Sequence, residues 1–183
     1  MTVILREDKD RTHVLVSESD VARLRPGMRF LNVVTPRSLE ADRALIAQMT
    51  AREWDGVCLS GIETPADLEK AGALLRVAEA NRGLPPSSLS ILAIPDTARA
   101  ALRLTEFDRA LSFLCGFLFD AHALSDASGA AMESDLIADL RLRLPLAARA
   151  SGVEAYLKVT DTAADTWSSA IRDGYRGLCL TET

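Results

Sequence analysis

The sequence predicts an α/β fold in which one domain, residues 1–183, forms a shortened or irregular (β/α)8 TIM-barrel-like structure. Short apolar runs alternate with longer amphipathic stretches of helical period, and this alternation is typical of βα units around a parallel sheet. The chain is 48% hydrophobic and 26% charged, which is normal for one packed domain. A regular eight-fold barrel takes about 250 residues. We therefore expect a shortened barrel, or else an open sheet.

Eight apolar runs are predicted as strands. The first two are joined by a linker too short for a crossover helix, so we expect them to form a hairpin. The other six are separated by helical stretches, which is the spacing that parallel strands require. The eight runs are Val3–Leu5, His13–Val16, Phe30–Val34, Trp54–Ser60, Ser90–Ile94, Ala110–Phe119, Val153–Val159 and Gly177–Leu180.

Helices are predicted between these strands from their start and stop signals. The first is entered at Thr35-Pro36 or at Ser38, and the second begins at Thr64-Pro65. Segment 121–134 is rich in Ser, Gly and Ala, and we expect a long loop there. Pro145 is predicted to kink or split the helix that follows, because proline cannot donate a backbone hydrogen bond. The helical stretches are 35–53, 64–83, 98–104, 135–152 and 162–175.

Composition excludes several classes of function. The net charge is −5, which argues against an extended nucleic-acid surface, and nine aromatic residues are few for base stacking. The three cysteines form no CxxC pair, so neither a zinc site nor a disulfide framework is expected. Only three lysines are present, which limits Schiff-base chemistry. No 18-residue apolar run or signal-peptide pattern appears, so we expect a cytoplasmic protein without a membrane partner.

Candidate site residues follow the predicted strands, because ligands of α/β folds bind at the carboxyl ends of parallel strands. Asp96 and Asp120 are the best pair for a hard cation such as Mg²⁺, which prefers carboxylate oxygens. The alternative for each is a helix N-cap or an Asx turn. The strand-end residues are Thr35, Arg37, Ser60, Glu63, Asp96, Thr97, Asp120, His122, Thr160, Asp161 and Glu182.

Three other candidates also have two interpretations. Glu63 is either a site residue or an acid placed favourably at a helix N-terminus. Arg37 could hold a carboxylate or phosphate in a bidentate fork, or it is a solvated surface arginine. His122 has either a pH-sensitive or catalytic role or a solvent-facing imidazole. No glycine-rich nucleotide-binding loop is present, which weakens a dinucleotide or nucleoside triphosphate ligand.

The amino-acid sequences at the ends of several predicted strands are distinctive. One segment reads WDGVCLSGIETPADLEKAGALLRVAE, the next LAIPDTARA, and the one after it GFLFD. Farther along are LAARASGVEAY and DGYRGLCLT. Over residues 28–180, the order of these segments resembles the citrate lyase beta-subunit-like branch of the HpcH/HpaI aldolase superfamily.

The resemblance implies roles for particular positions. Asp96 stands where the family has a metal-binding glutamate, and Asp120 stands at its second metal ligand. Glu63 matches a family glutamate. The substrate-binding arginine of the family is replaced by Phe30, although the neighbouring family asparagine is matched by Asn32. The family's early aspartate-leucine-glutamate-aspartate motif has no counterpart.

What the resemblance implies for function is Mg²⁺-dependent cleavage or formation of a carbon–carbon bond next to a carbonyl, in a 2-oxo acid or an acyl-coenzyme A. Asp96 and Asp120 would be the catalytic metal ligands. Arg37 or Arg99 would replace the lost arginine as the anion clamp, with Glu63 beside the substrate. The expected partner is thus a small anionic substrate or acyl-coenzyme A.

Two hypotheses from different classes remain open. One is a divergent lyase or aldolase, and the other is a catalytically inactive scaffold or accessory subunit that keeps the fold. The two hypotheses are distinguished by the positions of Asp96 and Asp120, which either converge on one point or cap separate helices. A weaker third hypothesis is a phosphate ligand at helix N-termini. We also expect a homo-oligomer, since a short barrel leaves apolar edges uncovered.

Overall fold

One eight-stranded sheet runs through the protein, for which the computed structural model describes residues 11–12, 14–16, 28–108, 112–159 and 164–180. The strands are β1 (Arg11–Thr12), β2 (Val14–Val16), β3 (Phe30–Val34), β4 (Gly56–Ser60), β5 (Ser90–Ala93), β6 (Leu114–Phe119), β7 (Glu154–Val159) and β8 (Gly177–Leu180). Strands β3 to β8 are all parallel and lie side by side in chain order. This confirms the α/β prediction with six βα-type strands.

The two short first strands lie at opposite edges of this parallel array. Strand β1 pairs antiparallel with β3, Thr12 opposite Phe30, and β2 pairs antiparallel with β8, Val14 opposite Cys179. Only position 13 separates β1 from β2, so one short segment lies against both edges. The six parallel strands do not close on each other. Val3–Leu5, half of the predicted hairpin, lies outside the described residues, so the hairpin stays a prediction.

Six α-helices connect the strands in the part of the chain that the structure describes, and side-chain caps explain where most of them begin. Ser38 and Ser134 each accept a hydrogen bond from a backbone N–H three residues ahead. The second helix ends at Gly83, whose φ of 65° is the left-handed conformation that glycine adopts readily. The helices are α1 (Leu39–Ala51), α2 (Pro65–Arg82), α3 (Ala98–Leu102), α4 (Ala121–Ser128), α5 (Asp135–Ala150) and α6 (Ala164–Arg172), with a 3₁₀ helix at Leu104–Asp108.

The predicted loop over 121–134 is wrong in its first half, which is helix α4. The Asp120 side chain accepts a hydrogen bond from the Ala123 N–H and so caps the helix start. Gly129, with φ of 69°, ends it. The alanines in this stretch favour helix, and the serines are accommodated because Ser128 Oγ donates to the Leu124 carbonyl.

Pro145 does not split α5, which runs continuously around it. Proline has no N–H to donate to the carbonyl four residues earlier, that of Arg141. The Tyr175 hydroxyl donates to this carbonyl oxygen over 2.5 Å. The Arg141 carbonyl, which has no backbone donor at Pro145, is therefore satisfied by a side chain that lies just before β8. The proline is thereby tolerated inside a buried helix.

The core lies on both sides of the sheet, and one of those sides leads to the candidate site. Side chains at matching register positions share a face, and Asn32, Cys58, Leu92 and Gly116 form one such row. Tyr156 is fully buried on this face, and its ring packs over Gly116, where a Cβ would lie 2.7 Å from it. None of the helices in the described ranges is long and apolar enough to cross a membrane.

Candidate functional site

A cleft of about 280 Å³ opens at the carboxyl ends of the parallel strands. Polar residues from five consecutive strands or the turns after them face it. This is the position where ligands bind in α/β folds of this kind. The lining residues are Asn32, Val33, Cys58, Ser60, Ile94, Asp96, Leu118, Asp120 and Lys158.

Asp96 lies just beyond β5, and its carboxylate is held from the neighbouring strand. Its Oδ1 accepts a hydrogen bond of 2.7 Å from the Gly61 N–H, at the end of β4. Thr97, rather than Asp96, caps α3, since the Thr97 hydroxyl accepts from the Ala100 N–H over 3.0 Å. The helix-cap alternative therefore does not apply to Asp96.

The pKa of Asp96 is raised above its ordinary value. Burial is the largest cause, because it disfavours the charged carboxylate. Hydrogen bonds from the backbone N–H groups of Gly61 and of Asp96 itself act in the opposite direction. The nearby negative charge of Asp120 raises the pKa further, and the positive charge of Lys158 lowers it. Asp96, Asp120 and Lys158 therefore interact electrostatically in one cleft.

Asp120 is buried and uses its two carboxylate oxygens differently. Oδ1 accepts from the Ala123 N–H over 3.1 Å and caps α4, so the helix-cap interpretation holds for this residue. Oδ2 lies 3.0 Å from the Lys158 Nζ in an ion pair whose side chains are 10% and 24% exposed. Asp120 therefore both begins a helix and faces the cleft.

Lys158 is the site residue that sequence reasoning missed. Strand register places it: Phe119 is paired with Leu157, so the residues that follow them, Asp120 and Lys158, lie next to each other on adjacent strands. The local signal was a lysine near the carboxyl end of an apolar strand. Lysine is seldom buried unless it is paired, so such a position indicates an acidic partner.

The three predicted substrate-binding residues do not line this cleft. The Arg37 guanidinium contacts the Asp67 carboxylate and donates to the Gly61 carbonyl over 3.0 Å. Glu63 Oε2 lies 3.5 Å from Arg99 Nε, in a partly exposed pair. Arg37 thus supports the same Gly61 loop that holds Asp96. A substrate-binding role for Arg37, Glu63 and Arg99 stays a prediction.

Asp67 fixes the start of α2 beside this loop. Its Oδ2 accepts from the N–H groups of Glu63, over 2.8 Å, and Thr64, over 2.9 Å. Burial would raise the pKa of Asp67, but these two hydrogen bonds and the Arg37 guanidinium outweigh burial and lower it. Asp67 is therefore a structural carboxylate held in its charged form.

The remaining strand-end candidates lie elsewhere. His122 is exposed on α4 and does not line the cleft. The buried Thr35 hydroxyl donates to the Ser60 carbonyl over 2.7 Å and joins two strand ends. Thr160, Asp161 and Glu182 lie outside the described residues.

The residues that the structure describes at the cleft do not fit a resident magnesium ion. Mg²⁺ requires near-octahedral oxygen coordination and repels a neighbouring ammonium. Oδ1 of Asp96 and Oδ1 of Asp120 are both engaged by backbone N–H groups, and Oδ2 of Asp120 contacts the Lys158 ammonium. Within ranges 28–108, 112–159 and 164–180, no group of three or more His, Cys, Asp or Glu side chains could hold a metal.

Solved structures with the same architecture are known, although no protein-family model and no curated protein matches the sequence. A citrate lyase from Burkholderia xenovorans LB400 superposes with a TM-score of 0.71 at 15% identity, covering 84% of this chain and 53% of that one. An HpcH/HpaI aldolase/citrate lyase family protein from Burkholderia cenocepacia J2315 gives 0.64 at 16% identity, covering 82% and 66%. This chain has the fold of the HpcH/HpaI aldolases and citrate lyases.

Malate synthase from Haloferax volcanii shares this aldolase and citrate lyase fold. Its magnesium/glyoxylate complex superposes with a TM-score of 0.65 at 19% identity, covering 85% of this chain and 53% of that one. The present chain thus spans about half to two thirds of the length of these three structures. The resemblance drawn from the strand-end segments is confirmed for the fold.

Proposed function

We propose that the cleft binds a small 2-oxo acid or an acyl thioester and that the protein makes or breaks a carbon–carbon bond next to the carbonyl group. The observation that carries this proposal is the convergence of Asp96, Asp120 and Lys158 at the carboxyl ends of adjacent parallel strands. In this fold, that edge of the sheet is where catalytic groups gather. Two acids and a cation in one cleft suit the formation and stabilisation of an enolate.

Asp96 is the proposed general base. A base works best when its pKa lies nearer to the operating pH, and burial moves the pKa of Asp96 in that direction. Its carboxylate takes a proton from the carbon beside the carbonyl, and the electron pair of that C–H bond forms the enolate. The Gly61 N–H fixes one oxygen of the carboxylate, and the other is the proposed acceptor of the proton. In the reverse direction, Asp96 returns this proton to carbon.

Room for a larger ligand exists beside the first cleft. A second cleft, of about 540 Å³, also reaches Lys158 and lies among α5, β7 and α6. Its lining includes the apolar side chains Phe119, Ile137 and Leu157 as well as polar groups. An acyl thioester carries its carbonyl between an acyl group and the chain of its thiol, and we propose that this chain lies in the second cleft with the carbonyl beside Lys158.

The test of this proposal is ligand-dependent stabilisation combined with turnover. Melting temperature is measured with pyruvate, oxaloacetate or acetyl-coenzyme A, in EDTA and again with millimolar Mg²⁺, for wild type and Asp96→Asn. A ligand at 100 times its dissociation constant stabilises by about 2.7 kcal/mol, or several degrees. Binding by both proteins with turnover by wild type alone would support Asp96 as the base. An unchanged melting temperature under every condition would contradict the proposal.

A catalytically inactive scaffold is the second candidate. It is favoured by Asp120, which serves as a helix cap, and by the engagement of Arg37 with Asp67. The exposed leucines Leu142 and Leu146 on α5 would then contact a second copy of the chain. Light scattering of wild type and of Leu142→Glu/Leu146→Glu would show whether a dimer forms and is lost.

A further inference from the structure

We infer that the Lys158 ammonium is the resident cation of this cleft and takes the place of a divalent metal ion beside Asp96 and Asp120. The cleft then binds an anionic carbonyl compound through a direct contact with lysine. The choice of ligand rests on the proposed function, whereas the role of Lys158 as the cation rests on the charged groups alone.

The position of Lys158 is the first support for its role as the cation of the cleft. Its Nζ is 3.0 Å from Asp120 Oδ2, and both side chains are largely buried, so solvent screens the pair little. The charge of Lys158 also acts on Asp96, since it lowers the pKa of that carboxyl. One ammonium group therefore contacts Asp120 and acts electrostatically on Asp96, in the cleft that both acids line.

The hydrogen bonds of the two carboxylates are the second support for this role. Oδ1 of Asp120 is held by the Ala123 N–H and Oδ1 of Asp96 by the Gly61 N–H, so each acid already uses one oxygen on the backbone. A divalent ion would have to displace the ammonium from Asp120 or sit beside it at the cost of like-charge repulsion. Both oxygens of Asp120 are therefore already engaged, one by the backbone and the other by the Lys158 ammonium.

The ligand class follows from the donor chemistry of lysine. An ammonium group has three N–H donors, so it can contact Asp120 and a ligand oxygen at once. It attracts an oxygen that carries negative charge, either a carboxylate or the enolate formed from a carbonyl. Asn32 on β3 and Ser60 on β4 add neutral polar groups to the same cleft. The ligand is accordingly a small carboxylate with an adjacent carbonyl, for which pyruvate is the probe.

The metal arm of the test uses Mn²⁺ alone and no organic ligand. Free Mn²⁺ is followed by electron paramagnetic resonance during titration of wild type, Asp96→Asn, Lys158→Met, Lys158→Arg and Lys158→Met/Asp96→Asn. Wild type and Lys158→Arg are expected to bind no Mn²⁺ at this cleft. Lys158→Met is expected to bind Mn²⁺ at this cleft, and the added Asp96→Asn change should abolish that binding. Mn²⁺ binding by wild type that Asp96→Asn removes would overturn the inference, and that measurement needs no lysine variant.

The ligand arm measures pyruvate binding by calorimetry in EDTA. Wild type is expected to bind with the same affinity in EDTA and in Mg²⁺, Lys158→Arg within tenfold of it, and Lys158→Met at least tenfold more weakly. Circular dichroism shows that each variant is folded before it is titrated. Pyruvate binding that requires Mg²⁺ would overturn the inference. Failure of every protein to bind pyruvate would count against the proposed function, while the Mn²⁺ titrations would still decide the role of Lys158.

Discussion

Lys158 Nζ and Asp120 Oδ2 lie 3.0 Å apart across the carboxyl ends of β7 and β6. The pair joins a residue inside a strand to the cap of the helix that follows the neighbouring strand. It therefore fixes the floor of the cleft and the start of α4 together. Asp96 faces the same pair from β5, so the charges of three adjacent strand ends are coupled.

Replacing Asp96 with Asn is expected to stabilise the protein increasingly as pH rises. The folded-state pKa of Asp96 is above its ordinary value of 3.8, so the folded protein holds this proton more tightly than the unfolded chain. Wild-type stability therefore falls as pH rises from about 3.8 through the folded pKa. Asn keeps an acceptor for the Gly61 N–H but has no charge to bury. Urea unfolding of both proteins at pH 4 and pH 7 measures the difference.

Asp67→Asn is the matched control with the opposite sign. The folded pKa of Asp67 is below 3.8, so its contribution to stability is present above that pH and is lost as pH falls through the folded pKa. The variant should be less stable than wild type at pH 7, with the deficit shrinking in acid. The same trend in both variants would contradict the assigned pKa directions.

Tyr175→Phe is expected to destabilise the protein by about 1–3 kcal/mol. The variant removes the only hydroxyl described as donating to the Arg141 carbonyl. Pro145 has no N–H to donate to this carbonyl, so the carbonyl would lose its hydrogen bond. Tyr156→Phe is the control, because the Tyr156 hydroxyl is buried without a hydrogen-bond partner in the described structure. That change should be neutral or stabilising. Equal losses in urea unfolding would show that the Arg141 contact is not what matters.

Asp120→Asn and Asp120→Ala separate the two functions of this carboxylate. Asn retains an acceptor for the Ala123 N–H and loses the ion pair with Lys158. Ala loses both, so it should be less stable than the Asn variant by about 1 kcal/mol, the usual value of a helix cap. Chemical denaturation of the two variants measures this step. Identical stabilities would mean that the cap contributes nothing.

Gly56→Ala is expected to destabilise by about 1–3 kcal/mol through overcrowding. A Cβ at this position would lie 2.1 Å from the Ser90 carbonyl oxygen and 2.8 Å from Phe30 Cε1. The carbonyl belongs to a paired strand and cannot move away alone. Gly152→Ala, where a Cβ would meet nothing within 4 Å, bears only the cost of a left-handed φ and should be affected less. Denaturation midpoints that reverse this order would contradict the packing described for β4.

Sequence periodicity predicted the strands well because each parallel strand is a continuous apolar run bounded by turn residues. It placed Asp96 and Asp120 at strand ends for the same reason. Lys158 was missed because its contact with Asp120 depends on the register between β6 and β7, which no local pattern encodes. The contact of Arg37 with Asp67, 30 residues away in the sequence, was not predicted, because no local pattern encodes it. Helix α4 was missed because the Ser, Gly and Ala content of segment 121–134 favoured a loop, although a helix cap was one interpretation of Asp120.

The most direct measurement of the proposed chemistry is the exchange of pyruvate methyl protons for deuterium in D₂O, followed by proton NMR. Removal of a proton beside a carbonyl is the step that all the proposed carbon–carbon reactions share, and it needs no second substrate. Wild type in EDTA should accelerate exchange, Lys158→Arg should retain part of the rate, and Asp96→Asn should lose it while remaining folded. Exchange by wild type no faster than in buffer, with or without Mg²⁺, would contradict the account and favour the inactive scaffold.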